Sequence, residues 1–363
     1  MSYTVGSLFA GIGGICLGFK QAGARVVWAN EMDKNASVTY RVNFDHPLVQ
    51  EDIRKVNEYS PDIPDFDILT AGWPCIAFSI AGKRHGMNYQ CEECMHEHIV
   101  SFEEYINGAF CPECGGITKP KDERGTLFYD VIRFLRAKRP KAFLLENVKN
   151  LKGHDEGRTF EVIKEMLRTE GYHFTSKVLN TMEYGNIPQN RERIFIVGFR
   201  DERAFNNFRF PDPQPLTTTL DDVLNRKTKQ KDKYYYNESS QYYPLLEEAV
   251  NRWDTVYQIR RIYIRENQNN VCPTLTANMG TGGHNVPIII DNYGFRKITP
   301  REALSFQGFS MNFKIPEGMA DTNVYKQVGN SVSVPVIRLI AENLISALNN
   351  VNMNIEIIDE VTV

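Results

Sequence analysis

The sequence predicts an α/β fold, in which a doubly wound, mostly parallel sheet is joined to a second, smaller domain. Three observations predict it. Short apolar runs alternate with stretches of helical spacing up to Gly198, a glycine-rich turn follows the first run, and the chain then becomes rich in loops. Alternating strands and helices are typical of parallel sheets, whose ligands bind at the carboxyl ends of the strands. The length of 363 residues suits two domains.

The first strand and helix flank the glycine-rich turn. Val5–Phe9 is a short apolar run, and Ile15–Gln21 resumes with helical spacing after the glycines. A second strand ends at Glu31, 20 residues after Gly11. A tight turn followed by a carboxylate at this distance can hold a nucleoside cofactor, because the carboxylate binds the ribose hydroxyls. An ordinary tight turn is the alternative, and Asp52 after the next segment favours the cofactor site.

Two further strands end in chemically reactive side chains. Asp67–Ala71 is followed by Gly72, Trp73, Pro74 and Cys75, and Ala142–Leu145 is followed by Glu146. Each group alone has a simpler explanation, since lone cysteines are commonly buried and glutamates are commonly solvated. A thiol, a carboxyl group and a cofactor turn at one edge of one sheet together indicate an active site.

The composition changes beyond Gly198, and this change predicts the domain boundaries. Residues 1–201 with 326–363 are predicted to form the first domain, because helical spacing returns in Val332–Leu348, and 202–325 the second. The run Arg226–Lys233 carries five basic residues and one acid and precedes three tyrosines. It suits phosphate contact with aromatic support, although a solvated linker explains it equally well.

Composition and charge exclude several classes of protein. Hydrophobic residues make up 42% and charged residues 24%, which is ordinary globular usage and not that of disordered, collagenous or coiled-coil chains. The net charge of 42 − 45 = −3 gives no general attraction to polyanions. No stretch approaches about 18 consecutive apolar residues, and the first residues lack a secretory pattern. We therefore expect no membrane partner and a cytoplasmic location.

Four of the seven cysteines form a predicted metal site. Two C-x2-C pairs within residues 88–120 are separated by sixteen residues. Four thiolates on two tight turns complete a tetrahedron, so this insertion is predicted to be a zinc-ribbon-like unit with structural zinc. Disulfides are the alternative, disfavoured in a reducing compartment, and His96 and His98 are candidate substitute ligands. The predicted ligands are Cys91, Cys94, Cys111 and Cys114.

An ordered set of motifs resembles a known family. The motifs are Phe9–Gly14, Asn30-Glu31, Asp52-Ile53, Pro74-Cys75, Glu146–Val148, Gln189–Arg193, Thr299–Glu302 and Gln327–Val332. In this order they resemble the C5 cytosine DNA methyltransferases, and most closely the small bacterial members of restriction-modification systems. The resemblance implies an S-adenosylmethionine-dependent methyltransferase fold, with 202–325 as a target recognition domain.

The resemblance also implies the catalytic roles. Cys75 would add as a thiolate to C6 of a flipped-out cytosine, which makes C5 nucleophilic enough to accept a methyl group. Glu146 would contact N3 and the exocyclic amine as a general acid, for which a raised pKa is required. Arg191 and Arg193 match family arginines near the active site, and Arg193 is expected at the base O2.

The cofactor-binding residues implied by the resemblance lie mostly around the glycine turn. Phe9 would stack on the adenine, Glu31 would hold the ribose, and Asp52 with Ile53 would contact the adenine edge. Met32 stands where the family often has Trp, and Ile76 where it usually has Gln. The full predicted set is Phe9, Gly11, Gly13, Gly14, Glu31, Met32, Asp52, Ile53, Pro74 and Asn330.

The implied partner is double-stranded DNA, from which the target base is flipped out. Cys272–Ala277 resembles the Thr-Leu segment that ends the family's recognition domain, and glycines at 280, 282 and 283 would let backbone approach the major groove. The insertion at 88–120, which the family pattern does not supply, is expected to extend the DNA footprint. A monomer is expected, associated with the bacterial nucleoid during action.

Other readings remain open at this point. A cognate restriction endonuclease would be linked to the protein functionally and not physically. An RNA cytosine-C5 methyltransferase of similar fold is an alternative, as is a catalytically silent, zinc-containing DNA-binding protein.

Overall fold

The computed structural model describes residues 2–74, 87–121, 123–260, 262–281 and 285–361. Its strands, in chain order, are β1 Thr4–Leu8, β2 Arg25–Asn30, β3 Leu48–Val49, β4 Ile68–Gly72, β5 Met87–Cys91, β6 Glu97–Val100, β7 Thr118–Pro120, β8 Ala142–Val148, β9 His173–Asn180, β10 Gln189–Asn190, β11 Glu192–Phe199, β12 Tyr257–Ile259, β13 Ile264–Glu266, β14 Cys272–Pro273, β15 Ile288–Asp291 and β16 Gly294–Lys297.

The helices complete the alternating order predicted for the first part of the chain. They are α1 Gly14–Gln21, α2 Lys34–Arg41, α3 Phe102–Asn107, α4 Glu123–Lys138, α5 Arg158–Thr169, α6 Thr181–Tyr184, α7 Glu202–Asn207, α8 Leu220–Val223, α9 Tyr243–Ala249, α10 Pro300–Ser305, α11 Asp321–Asn330 and α12 Val334–Val361.

The central sheet has seven strands in the order β3-β2-β1-β4-β8-β11-β9. Strands β1, β2, β3, β4 and β8 are parallel, whereas β11 runs antiparallel to both β8 and β9. The predicted doubly wound, mostly parallel sheet is therefore confirmed. The chain winds outwards in both directions from β1 and β4, so their carboxyl ends form the crevice in which such sheets bind ligands.

Two hydrophobic layers cover the sheet because successive side chains of a strand face opposite sides. In β8, Phe143 and Leu145 point into one layer with Phe134 of α4, and Leu144 points into the other layer with Ile337 of α12. Residues 321–351 are long and apolar enough to span a membrane by composition alone. However, 61% of their most apolar window is buried against the rest of the protein, as in a core helix.

The second part of the chain carries a four-stranded antiparallel sheet in the order β13-β12-β15-β16. Leu246, Tyr257 and Ile288 belong to its small separate core. The segments that flank this sheet join the main core instead. Phe208, just after α7, packs on Phe199 with ring centroids 5.5 Å apart, and Leu304 of α10 is buried in the main core.

A fully buried ion cluster fixes the small sheet to α10. The Nε of Arg296 lies 2.6 Å from Asp291 Oδ2, and its Nη2 lies 2.8 Å from Glu302 Oε1. Asp291 is the last residue of β15, and Arg296 lies in β16. The Glu302 carboxylate also accepts a hydrogen bond from the backbone N–H of Thr299 and so caps α10. One guanidinium thus serves two buried carboxylates, and removing Arg296 would leave both of them without a partner.

The insertion is a small three-stranded antiparallel sheet, β6-β5-β7, with α3 beside it. It packs on α4 of the main body through aromatic side chains. Phe102 and Tyr105 contact Tyr129 with centroids 5.4 and 5.3 Å apart, and the Tyr105 hydroxyl donates to Asp130 at 3.2 Å. The insertion is therefore docked on the main body over a shared hydrophobic contact.

Candidate active site

A cavity of about 450 Å³ opens at the carboxyl ends of β1, β4 and β8. Most of the predicted cofactor-binding residues line it, and so do the predicted catalytic residues that the structure describes, although they come from distant parts of the chain. The predicted residues in its wall are Phe9, Gly11, Glu31, Met32, Pro74, Glu146, Arg191, Arg193 and Asn330.

The turn after β1 has the left-handed backbone that its glycines predict. Gly11 and Gly13 adopt φ of 58° and 89°, and Phe9 between strand and turn has φ of 52°. A positive φ at a phenylalanine is strained, and such strain concentrates at binding sites. Gly13 is needed for packing, because a Cβ there would lie 2.2 Å from the Phe44 ring. Gly14 likewise meets Ser331, so neither glycine belongs to the cavity wall.

Glu31 supports this turn and faces the cavity. Its carboxylate accepts hydrogen bonds from the backbone N–H of Gly11 at 2.8 Å and of Asp33 at 2.7 Å. Burial raises the pKa of Glu31, and these two backbone hydrogen bonds oppose the increase. An ionised carboxylate has further lone pairs, so Glu31 can still accept from two neighbouring hydroxyl groups.

Asp52 and Ile53 do not line the cavity in the described part of the chain. The Asp52 carboxylate caps the short helix Ile53–Lys55 and accepts from Nε of Arg54 at 3.0 Å. The hydrogen bond from the Arg54 side chain lowers the pKa of Asp52. Ile53 is 2% exposed and packs in the layer of Trp28 and Phe134. Asp52 is thus engaged by its own neighbour in this structure.

Glu146 lies at the end of β8, paired in register with Gly72 of β4. A Cβ at Gly72 would lie 3.3 Å from Glu146 Oε2, so this position leaves room for the carboxyl group. Arg193 Nε lies 3.1 Å from Glu146 Oε1. Burial raises the pKa of Glu146, while the charges of Arg193 and Arg191 act in the opposite direction. The net effect is a pKa above the usual range of a glutamate, with burial as the main cause.

Arg191 joins three chain segments at the cavity wall. It is 2% exposed, and its guanidinium donates to the carbonyl oxygens of Leu275 at 2.7 Å, Gly329 at 3.2 Å and Ser331. Arg193 is the arginine that pairs with Glu146. The geometry thus makes Arg191 a buried crosslink, which its sequence pattern alone did not reveal.

The Leu275 segment also crosses α11 with no space between the backbones. A Cβ at Gly329 would lie 2.1 Å from the carbonyl carbon of Thr276, so only glycine fits. Gly280 faces α11 in the same way, since a Cβ there would lie 2.5 Å from the Thr322 carbonyl oxygen. Gly280 therefore serves helix packing, and Gly282 and Gly283 lie outside the described residues.

Cys75 lies outside the described residues, as does Ile76. The residues before it are held firmly. Trp73 packs on Phe128 with centroids 5.3 Å apart, its carbonyl accepts from Asn147 Nδ2 at 3.0 Å, and Pro74 lines the cavity. The described chain therefore reaches the cavity wall at Pro74.

The basic run is less available than its sequence predicts. Arg226 is 4% exposed, with Nε 3.1 Å from Asp221 and its guanidinium over the Trp253 ring. Lys229 pairs with Asp232 at 2.9 Å, and Lys233 pairs with Asp321 at 2.5 Å. Arg226 is buried against Asp221 and Trp253 and cannot reach a phosphate group, so phosphate contact by this run depends on its other residues.

The four predicted zinc ligands converge. Their sulfur atoms all lie within 4.8 Å of one another, with 3.4 Å between Cys91 and Cys114 and 3.6 Å between Cys94 and Cys111. The residue after each pair, Met95 and Gly115, has a positive φ. The two C-x2-C pairs thus form tight turns of the same kind, each of which presents two sulfur atoms to the cluster.

Comparison with known proteins identifies relatives along nearly the whole chain. Residues 3–105 and 114–346 match the family model of the C-5 cytosine-specific DNA methylase. The chain is 49% identical over 346 residues to the Type II methyltransferase M.Bsp6I of Bacillus sp. (strain RFL6), covering 95% of this chain and 99% of that protein. It is 36% identical over 354 residues to the Type II methyltransferase M.HhaI of Haemophilus parahaemolyticus, covering 94% of each.

Solved structures share the fold at lower identity. The S. pombe Dnmt2 methyltransferase superposes with a TM-score of 0.67 at 18% identity, covering 96% of this chain and 99% of that one. The Entamoeba histolytica methyltransferase EhMeth gives a TM-score of 0.65 at 18% identity, with 96% and 99% covered.

Proposed function

The chain belongs to the C-5 cytosine-specific DNA methylase family and is a sequence-specific DNA (cytosine-5) methyltransferase, and we propose that its cavity holds S-adenosylmethionine beside a flipped-out cytosine. The observation that carries the proposal is the meeting of Glu31, Glu146 and Arg193 in one cavity. When bound, S-adenosylmethionine supplies an electrophilic methyl group. The side chains around it bind, orient and move protons.

Glu31 and the glycine turn would bind the cofactor. Glu31 has spare lone pairs for the two ribose hydroxyls, and its backbone hydrogen bonds hold it in place. Phe9 offers an aromatic face for the adenine, and Met32, which is 61% exposed, would be covered by it. Asn330 also lines this cavity and would contact the cofactor.

Glu146 and Arg193 would hold the target base. A protonated Glu146 donates to N3 of cytosine, and its other oxygen accepts from the exocyclic amine. Arg193 donates to O2. Protonation at N3 draws electrons from the ring, so C6 becomes open to attack. Because burial raises its pKa, Glu146 is a stronger candidate for this acid role than an exposed carboxyl group.

Cys75 would be the nucleophile. Its thiolate adds to C6, and the displaced electron pair makes C5 nucleophilic. The nucleophilic C5 would then accept the methyl group that a bound S-adenosylmethionine would supply, with S-adenosylhomocysteine as the co-product. Loss of the C5 proton to a base and elimination of the thiolate restore the aromatic ring as 5-methylcytosine.

The cysteine cluster would hold structural zinc. A tetrahedron with Zn–S bonds of about 2.3 Å places its sulfurs about 3.8 Å apart, and the observed 3.4 and 3.6 Å are close to this. The backbone N–H of Glu93 and of Cys94 point at Cys91 Sγ, which stabilises a thiolate. The site would stabilise the insertion, because a small sheet lacks a core of its own.

The charge of the insertion weighs against the expected extension of the DNA footprint. Residues 87–121 contain two lysines and six glutamates, which gives 2 − 6 = −4. Lys119 pairs with Glu92, and Lys121 pairs with Glu97. DNA repels such a surface. We therefore assign the zinc unit to support of α4.

The proposed substrate is duplex DNA, and the proposed site of action is the cytoplasm, at the nucleoid. We propose a monomer with no physical link to an endonuclease. RNA methylation and silent DNA binding are the competing functions.

Trapping with 5-fluorocytosine tests the proposal, because fluorine cannot leave C5 as a cation. Wild-type protein with S-adenosylmethionine and duplex DNA containing 5-fluorocytosine should give a covalent adduct that survives denaturation, and Cys75→Ser should give none. An adduct formed only with RNA would establish the RNA function. Binding to DNA without adduct would establish the silent protein.

A further inference from the structure

A polar cleft lies between the small sheet and the β10–β14 pair. Two adjoining cavities of about 570 and 330 Å³ form it, and both are lined by Arg265, Pro273 and Thr274. Gln258 and Arg260 line the smaller cavity. The catalytic steps proposed above use none of these side chains.

The β12–β13 hairpin turns one polar face towards this cleft. Tyr257 and Ile259 are 0% and 5% exposed and pack in the core of the small sheet. The residue between them, Gln258, therefore points to the other side, where it pairs across the strands with Arg265. Arg260 lies on this same face, two residues after Gln258.

Arg265 is a free cation within the described part of the chain. Its backbone belongs to the β12–β13 ladder, but its side chain has neither an ion pair nor a hydrogen bond there, and the residue is exposed. Arg252 nearby takes both Asp254 and Glu266 as partners, so Glu266 does not neutralise Arg265. Arg260 is held by a hydrogen bond from its Nη2 to Gln258 Oε1 at 3.0 Å. The face thus carries one unpaired and one oriented guanidinium.

The cleft adjoins the proposed base-binding cavity. Thr274 Oγ1 donates to the carbonyl oxygen of Asn190 at 2.7 Å, and the next residue, Leu275, accepts from Arg191. A duplex bound in the cleft would therefore present its neighbouring bases to the hairpin while the target base occupies the cavity. The turn of the hairpin exposes Ile262 by 83% and Tyr263 by 53%, which suits a contact surface.

We propose that the polar face of the β12–β13 hairpin reads the recognition sequence, with Arg265 donating both arms of its guanidinium to O6 and N7 of a guanine. The inference rests on the proposed DNA substrate. A two-stranded ribbon fits the major groove, and arginine matches guanine there better than any other base edge. Arg260, oriented by Gln258, reads or supports the adjacent base pair.

The test begins with the wild-type recognition sequence, obtained by sequencing 5-methylcytosine in DNA from a host without its own cytosine methylation. Arg265→Ala and Arg265→Lys are then assayed on the cognate duplex and on all its single-pair variants. The expected result is a fall in cognate kcat/KM of about 5- to 150-fold, with discrimination lost at one G·C pair. Arg265→Lys keeps the charge and loses the fork, so it should lose discrimination too.

Lys227→Ala is the matched control, because this exposed lysine belongs to the basic run. A phosphate contact weakens binding equally for every sequence and makes the salt dependence shallower. Unchanged S-adenosylmethionine affinity shows that each variant is folded. If both Arg265 variants keep the wild-type order of preference among all duplexes, the proposal is overturned. A wild-type protein that methylates no cytosine would instead overturn the proposed function.

Discussion

Arg193 Nε lies 3.1 Å from Glu146 Oε1, and the two side chains come from neighbouring antiparallel strands, since β8 ends and β11 begins at the cavity. The pair places an acid and a cation where one pyrimidine ring can touch both. Neither residue can be replaced without changing the electrostatic environment of the other, because the charge of Arg193 opposes the effect of burial on the pKa of Glu146.

Glu146→Gln should lower the rate of methyl transfer in a single turnover by about 10²- to 10⁴-fold, the usual contribution of a general acid. Binding of S-adenosylmethionine should be unchanged, because we propose that Glu31, and not Glu146, holds the ribose. Rapid-quench measurement with labelled cofactor checks this. A rate within threefold of wild type would exclude the acid role.

Arg193→Ala should shift the pH dependence of methyl transfer. Removing the cation takes away an effect that lowers the pKa of Glu146, so its pKa rises further. If protonated Glu146 is the active form, the loss of rate on the alkaline side should move to higher pH. Single-turnover rates across the pH range at saturating DNA measure the shift. An unmoved or acid-shifted limb contradicts the assignment.

Arg191→Met should destabilise the protein by about 3 kcal/mol or more, because it leaves buried carbonyl groups without donors. Urea unfolding measures this change. Arg193→Met is the matched comparison, since Arg193 borders the cavity and its loss should affect catalysis more than stability. Equal stability of the two variants would remove the crosslink role of Arg191.

Glu31→Gln should weaken S-adenosylmethionine binding by about tenfold, since one charge-assisted hydrogen bond is worth about 1.5 kcal/mol. The amide oxygen can still accept from one backbone N–H, so the turn should remain folded. Calorimetric titration gives the affinity, and circular dichroism gives the fold. Wild-type affinity would show that Glu31 only supports the turn.

The purified protein should contain one zinc per chain by elemental analysis. Cys94→Ser should lose this metal and lower the Tm by more than about 5 °C, because the metal folds the insertion. Glu113 is an exposed position between two of the ligands, and Glu113→Ser should keep both the zinc content and the Tm of the wild type. Full zinc content in Cys94→Ser would rule out the four-sulfur site.

The sequence predicted the cavity well because its chemistry follows strand ends. Glu31 directly follows β2 and Glu146 lies in the last part of β8, and parallel strands of one sheet end at one edge. The convergence of the four cysteines could be predicted equally well from the sequence, since each C-x2-C pair forms its turn locally.

The sequence could not predict contacts made over long separations. Arg226 looked like a surface cation, but Asp221 and Trp253 bury it, and only the folded chain brings Trp253 there. The carbonyl partners of Arg191 lie at least 84 residues away. Asp52 was assigned to the adenine without knowledge that Arg54 occupies its carboxylate.

The crossing of Gly329 over Thr276 limits how such enzymes can exchange recognition modules. A foreign module grafted onto this scaffold must end upstream of Leu275, or bring its own matching α11 with it. In chimaeras joined inside residues 275–277, the altered backbone would collide with Gly329 of α11, whereas chimaeras joined before Cys272 would keep the native contact between the two segments. New specificities are therefore best engineered by exchanging whole segments that end before this contact.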